Sequence, residues 1–193
     1  SGDPSAHELA ERRLGRRLHL VHRIDRPAGG LVAFAASGVS VARLSAMLRE
    51  GAVVRRYWAI VESGLEPSAG TLITQLRHDP RSNRARVDPA GKRAELSYET
   101  RSRGDRYDLL EVTLLTGRHH QIRAQLAHAG RPIRGDLKYG ARRSLRGGGI
   151  ALHAVLLAFP HPTSGEPLVF TAPPPPDDTL WQALTAGLEP RLP

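Results

Sequence analysis

The sequence has 193 residues, of which 28 are Lys or Arg and 19 are Asp or Glu, so its formal net charge is +9. This length fits one domain, and a hydrophobic fraction of 40% supplies a core, which excludes a disordered chain. The absence of Cys excludes disulfide scaffolds, thiolate catalysis and Cys-containing metal sites. No apolar stretch approaches the ~20 residues that span a bilayer, so we expect a cytoplasmic protein without membrane association.

The positive charge is carried almost entirely by arginine, since Lys92 and Lys138 are the only lysines among the 28 basic residues. Arg binds phosphate through a planar fork and stacks on nucleobases. A genome that favours Arg codons explains the Arg-to-Lys ratio equally well, but it does not explain the net charge. We therefore expect an anionic partner, and nucleic acid rather than a membrane because no basic amphipathic helix is evident.

Apolar spacing and turn residues divide the first part of the chain into helices and strands. In chain order, they predict an amphipathic helix over Ser5–Leu18 after Asp3-Pro4, a strand at Leu18–Val21, a polar loop at His22–Gly30, a strand at Leu31–Ala35, a helix from Ser40 to Gly51 and a strand at Val53–Val61.

The rest of the chain continues this alternation without a strict βαβ rhythm. It contains strands at Thr71–Leu76, Ala94–Thr100 and Tyr107–Leu115, a basic loop at Arg77–Arg93, a helix at His119–His128, an apolar run at Ile150–Phe159, a strand at Leu168–Thr171 and a helix around Thr179–Leu188. The pattern predicts an α+β fold with a mixed sheet.

Asp25 is the first candidate for chemistry because it lies in a Gly-containing loop beside His22, between Arg23 and Arg26. Neighbouring positive charge lowers the pKa of an Asp by about 1–3 units, so we expect this carboxylate to stay ionised. An ionised carboxylate is a competent nucleophile or electrostatic stabiliser. The alternative is an ordinary salt bridge within a loop.

The pair His119-His120, with His128 after it, raises the question of a metal site. Consecutive helical residues point about 100° apart, and no carboxylate lies at helical spacing within this segment. We therefore predict no metal site and expect these histidines to contact RNA or to be structural. A His-dependent nuclease is kept as a remote alternative.

Four ordered blocks resemble the RluA-type pseudouridine synthases over about residues 20–176. The blocks are VHRIDRPAGGLVAFA (Val21–Ala35), RRYWAIVES (Arg55–Ser63), LLTGRHHQIRAQLAHAGRPIRGDLKYGA (Leu114–Ala141) and IALHAVLLAFPHPTSGEPLVFTAPPP (Ile150–Pro175). The resemblance implies one catalytic domain over residues 1–193, with a mainly antiparallel sheet, flanking helices and a central active-site cleft. It also implies isomerisation of flipped-out uridines in ribosomal or transfer RNA, by a monomer without a cofactor.

The resemblance further implies a role for each matched residue. Asp25 would be the nucleophile, Tyr57 would stack on the base and handle the proton at C5, and Arg123 would pair with Asp25. Arg23 would fill the gap that the flipped nucleotide leaves. The remaining substrate-binding candidates are His22, Arg118, His120, Ile150 and Leu152, the last two as the apolar wall of the base pocket.

Two departures from the family pattern favour a second interpretation. The loop Ala28–Leu31 reads Ala-Gly-Gly-Leu where the family has Thr-Ser-Gly-Leu, so two hydroxyls are absent. The family's Lys-Pro-x-Gly motif is not found before the predicted first helix, so we expect a chain that is shortened at its start and has no S4-like RNA-binding domain. The alternative function is therefore a catalytically impaired RNA-binding or assembly protein on the same fold.

Overall fold

A computed structural model describes residues 4–193 of the chain. Residues 1–3 of the predicted domain lie outside the described residues, and they include Asp3 of the Asp3-Pro4 pair before the predicted first helix. The helices are α1 Ala6–Leu14, α2 Gly38–Glu50, α3 Gln121–His128 and α4 Thr179–Thr185. The strands are β1 His19–Leu20, β2 Gly29–Gly30, β3 Phe34–Ala35, β4 Val54–Glu62, β5 Ala69–Asp79, β6 Arg84–Val87, β7 Lys92–Arg103, β8 Tyr107–Leu114, β9 Leu152–Pro160 and β10 Pro167–Thr171.

Eight of the strands form one sheet, in the order β10-β9-β4-β8-β7-β5-β6, with β2 added beside β9. All neighbours along the main path are antiparallel, whereas β2 pairs with β9 in parallel. Strands β1 and β3 form a separate antiparallel pair. The predicted α+β fold with a mixed, mainly antiparallel sheet is confirmed.

The centre of the sheet is buried on both faces, which explains the continuous apolar runs in β4 and β9. Tyr57 and Leu152 point to the face that carries α3, and both line a cleft there. Because successive strand residues alternate between faces, His153 points to the opposite face, where its ring lies 6.3 Å from that of Trp181 in α4. The functional face and the α4 face are therefore separate.

The prediction of a basic loop over Arg77–Arg93 is wrong, because most of this segment forms a hairpin of β5 and β6 that continues into β7. The buried side chains Leu76, Ala85 and Ala94 alternate with exposed Arg residues. Charged residues on the solvent face do not prevent strand pairing, since the apolar residues face α3.

Several predicted boundaries also differ from the structure. Of the predicted strand Leu31–Ala35, only Phe34–Ala35 forms a strand, β3, and the predicted loop His22–Gly30 ends in the short strand β2. The helix predicted from His119 begins at Gln121, after His120 adopts a left-handed backbone with φ of 48°. No helix of residues 4–193 combines the length and the apolar character that a membrane crossing requires.

Candidate active site

A cleft of about 680 Å³ opens on the α3 face of the sheet. Its walls are the loop that carries Asp25, the last turn of α2, the start of β4 and the segment that joins β8 to α3. Asp25 and Tyr57 both line this cleft although they lie in different blocks of the sequence.

The Asp25 loop is fixed by backbone hydrogen bonds to the first half of the apolar run Ile150–Phe159. Ile150 donates its N–H to the carbonyl of Pro27 at 2.9 Å, and Leu31 donates to the carbonyl of Ala154 at 3.0 Å. Gly30, with φ of 100°, approaches β9 so closely that an added Cβ would lie 2.3 Å from the Ala154 carbonyl oxygen. The loop is therefore anchored without the two hydroxyls of the family pattern.

Arg123 lies behind Asp25 and is almost completely buried. Its Nη1 is 3.5 Å from Asp25 Oδ2, as the resemblance implied. Its shorter hydrogen bonds go to Asp136, from Nε to Oδ2 at 2.7 Å and from Nη2 to Oδ1 at 2.8 Å. Sequence reasoning missed Asp136, although this residue lies inside the matched Leu114–Ala141 block.

Burial raises the pKa of Asp25, and the positive charge of Arg123 opposes this rise. The predicted net lowering of this pKa is therefore wrong, because burial outweighs the positive charges, although Arg23 does lower the pKa slightly. Arg23 makes only a minor contribution because its side chain is exposed, and the main cation comes from a helix that is remote in sequence. The negative charge of Asp25 thus depends on Arg123 more than on its sequence neighbours.

Tyr57 lies in β4, next to a register shift between β4 and β9 that is typical of a β-bulge beside a functional site. Burial raises the pKa of its hydroxyl, so the phenol stays protonated at neutral pH. Arg55 lines the cleft beside it and was not identified from the sequence. Alternation in a strand could have indicated Arg55, since it lies two residues before Tyr57.

The other predicted substrate-binding residues divide into cleft residues and supporting residues. Arg23, Arg118 and Leu152 line the cleft, and Arg118 is held at its edge by a hydrogen bond of 2.9 Å from Nε to the carbonyl of Arg93. His22 also lines it, but its Nε2 accepts the backbone N–H of Ala33 at 3.2 Å.

Ile150 does not belong to the cleft lining of the described residues. It packs in the main core, and its backbone N–H supports the Asp25 loop. The structure therefore does not bring Ile150 to the base-pocket wall that the resemblance implied.

Three histidine rings form a row at one end of the cleft. His78 contacts His119 edge-on at 4.4 Å between ring centroids, and His119 stacks on His120 at 3.8 Å. Burial lowers the pKa of His119, and burial together with Arg123 lowers the pKa of His120 to about 3. Both rings are thus neutral at neutral pH.

Neither this row nor any other part of residues 4–193 contains three or more His, Asp or Glu side chains placed to hold a metal ion. His128 is exposed at the last turn of α3.

Two solved human structures share this fold. RNA Pseudouridylate Synthase Domain Containing 1 superposes with a TM-score of 0.76 over 97% of this chain and 87% of its own, at 21% identity. RNA Pseudouridylate Synthase Domain Containing 4 gives a TM-score of 0.75 over 91% of this chain and 80% of its own, at 24% identity.

Sequence comparison identifies bacterial relatives. Ribosomal large subunit pseudouridine synthase D of Vibrio cholerae is 35% identical over 91% of this chain and 58% of its own length. The uncharacterized RNA pseudouridine synthase YlyB of Bacillus subtilis is 36% identical over 82% of this chain and 52% of its own. The chain thus spans little more than half the length of these relatives. The model of the RNA pseudouridylate synthase family matches residues 4–128, so the chain belongs to this family.

Proposed function

We propose that this chain converts uridine residues of structured RNA into pseudouridine, with Asp25 as the nucleophile. The observation that carries the proposal is the carboxylate of Asp25, which is held beside Arg123 in a cleft that Tyr57 also lines. Family membership supports the reaction, and the arrangement of these three side chains supports their roles.

The reaction rearranges bonds within one nucleotide and needs no added atoms. The bond between uracil N1 and ribose C1′ breaks, the uracil turns, and C5 bonds to C1′. The proton on C5 leaves, and N1 gains a proton. Asp25 can attack C1′, attack C6 or stabilise a glycal-like intermediate, and each route requires its carboxylate to be ionised.

Tyr57 is the group best placed to contact the base. Its phenol is protonated at neutral pH and lies on the cleft face, so it can stack on uracil and exchange a proton near C5. Stacking on an aromatic side chain contributes about 1–3 kcal/mol per base. This stabilisation offsets part of the few kcal/mol that flipping the nucleotide out of its stack costs.

Exposed arginines supply the rest of the binding energy through phosphate contacts. They lie on the β5–β6 hairpin, at Arg77, Arg81 and Arg86, and on the loop before β9, at Arg142, Arg143 and Arg146. Large-subunit ribosomal RNA is the first substrate to test, because relatives at this level of identity are named for it. Transfer RNA is the second, and a monomeric state and a cytoplasmic location stay predictions.

Tritium release tests the proposal directly. RNA labelled with tritium at uridine C5 is incubated with the protein, and the tritium that reaches water is counted. We expect release by the wild type and none by Asp25→Asn, which keeps the shape of the side chain. The exposed Asp177→Asn variant is the matched control and should retain full activity.

The same assay separates the alternative functions when RNA binding and RNA length are measured alongside it. Tight RNA binding without tritium release by the wild type would contradict the proposal and would favour the impaired RNA-binding protein. Shortened RNA would instead favour a nuclease.

A further inference from the structure

We infer that Tyr139 is a positioning residue, which holds His120 in the tautomer whose Nε2–H points toward Asp25. This inference rests on the proposed function, because it adds a second donor to the carboxylate that the isomerisation uses. Tyr139 and His120 are both buried, and neither the reaction nor the family comparison has assigned a role to the tyrosine.

The hydrogen bonds of Tyr139 determine which nitrogen of His120 carries hydrogen. The Tyr139 hydroxyl oxygen accepts the backbone N–H of Ala85 at 2.7 Å. His120 Nδ1 lies 2.9 Å from the same oxygen and is the acceptor that the described residues offer to the phenol hydrogen. If Nδ1 carried hydrogen instead, the phenol hydrogen would be buried without an acceptor, which costs about 1–3 kcal/mol.

His120 is neutral, so it carries a single ring hydrogen. Its burial disfavours the charged form, and the positive charges of Arg123, Lys138 and Arg23 disfavour it further. With Nδ1 accepting from Tyr139, the hydrogen must lie on Nε2. A neutral imidazole therefore presents one N–H on the side away from Tyr139.

The nitrogen that carries this hydrogen lies near the nucleophile. His120 Nε2 lies 3.9 Å from Asp25 Oδ1, while Arg123 Nη1 lies 3.5 Å from Asp25 Oδ2. One oxygen of the carboxylate thus faces a guanidinium and the other faces an imidazole N–H. The left-handed backbone of His120, uncommon for a residue with a side chain, places the ring there at the start of α3.

The hydroxyl of Tyr139 can be removed without removing its ring. The Arg123 guanidinium lies 4.9 Å from the centre of this ring, and that of Arg84 lies 5.1 Å from it. Tyr139→Phe keeps both contacts and deletes the donor to His120, together with the acceptor of the Ala85 N–H. Tyr98→Phe is a matched control, because Tyr98 is equally buried and its hydroxyl donates to the carbonyl of Pro67 at 3.1 Å, outside the cleft.

Nitrogen NMR of the histidine side chains reads the tautomer without substrate. In the free wild-type protein we expect an unprotonated Nδ1 and a protonated Nε2 at His120. In Tyr139→Phe we expect a mixture of the two tautomers, and in Tyr98→Phe the wild-type signals. The kcat of Tyr139→Phe should fall about tenfold or more, while its Kd for RNA stays within about twofold, because the missing donor supports a charged group.

A double-mutant cycle separates positioning from a general loss of structure. His120→Gln supplies a side-chain N–H whose position does not depend on a tautomer. We expect Tyr139→Phe to reduce kcat much less in the His120→Gln background than in the wild type.

Three results would overturn the inference: hydrogen on Nδ1 of His120 in the wild type, an unchanged kcat in Tyr139→Phe, or equal effects of Tyr139→Phe in the two backgrounds. Failure of the proposed function has a different signature. If the proposed function is wrong, the wild type releases no tritium, while the nitrogen signals still report the tautomer of His120.

Discussion

The Arg123 guanidinium binds both oxygens of Asp136, at 2.7 and 2.8 Å, and reaches Asp25 through Nη1 at 3.5 Å. The two-point contact fixes the plane of the guanidinium. Because Asp136 already holds the cation, Asp25 is stabilised by its charge without being locked into a short hydrogen bond. An oxygen of Asp25 therefore stays available to a reacting carbon.

Replacing Asp136 should destabilise the protein strongly. Asp136→Asn removes the negative charge that compensates a buried guanidinium, and breaking a buried pair in this way costs about 3–5 kcal/mol. Chemical denaturation measures the change in the free energy of unfolding. Glu66→Gln is the control, because its partner Arg103 is half-exposed and such pairs contribute about 1 kcal/mol or less. Equal losses of stability in the two variants would show that Arg123 is held by other contacts.

Replacing Arg123 should reduce turnover far more than RNA affinity. Arg123→Lys keeps a positive charge, but an ammonium group cannot make the two-point contact with Asp136 and also reach Asp25. We expect kcat to fall at least about tenfold, equivalent to about 1.4 kcal/mol, with little change in the Kd for RNA. Arg103→Lys should leave both unchanged. Comparable reductions in kcat and affinity would instead assign Arg123 to the phosphate-binding surface.

The raised pKa of Asp25 predicts how stability depends on pH. A carboxyl group whose pKa is higher in the folded state stabilises the fold fully below its unfolded pKa, and this stabilisation is lost as pH rises through the folded pKa. Asp25→Asn resembles the protonated form at every pH. We therefore expect the variant to be more stable than the wild type at neutral pH and equally stable in acid.

Thermal or urea unfolding at several pH values measures this difference. A variant that is less stable than the wild type at neutral pH would contradict the direction of the pKa shift. The turnover of the wild type should instead rise with pH, as Asp25 loses its proton.

The arginines of the loop before β9 should control the salt dependence of RNA binding. Arg142, Arg143 and Arg146 are all exposed. Their combined replacement by Ala should weaken binding and flatten the slope of log K against log salt by about 0.7–0.9 for each phosphate group that the protein no longer neutralises. The control is the combined replacement of Arg12, Arg13 and Arg16 by Ala, which makes the same change in charge near α1, outside the cleft lining. An unchanged slope in the first variant would show that this loop does not bind the RNA.

The strands with continuous apolar segments were predictable because burial on both faces leaves a clear signal, as in Tyr57–Val61. The Arg77–Arg93 hairpin was not predictable. Its Arg residues are typical of an exposed loop, and the buried positions between them are known only from the structure. The roles proposed for Asp25 and Tyr57 came from ordered motifs. Contacts such as Asp136 with Arg123, and the burial that raises the pKa of Asp25, depend on tertiary packing and have no local signal.

The close approach of Gly30 to Ala154 has a consequence for mutational tolerance. Gly30 is exposed, and exposed positions usually accept many residue types. Here even a methyl group would collide with the backbone of β9 and push away the loop that carries the nucleophile. In a saturation screen, this surface position should behave like a core position.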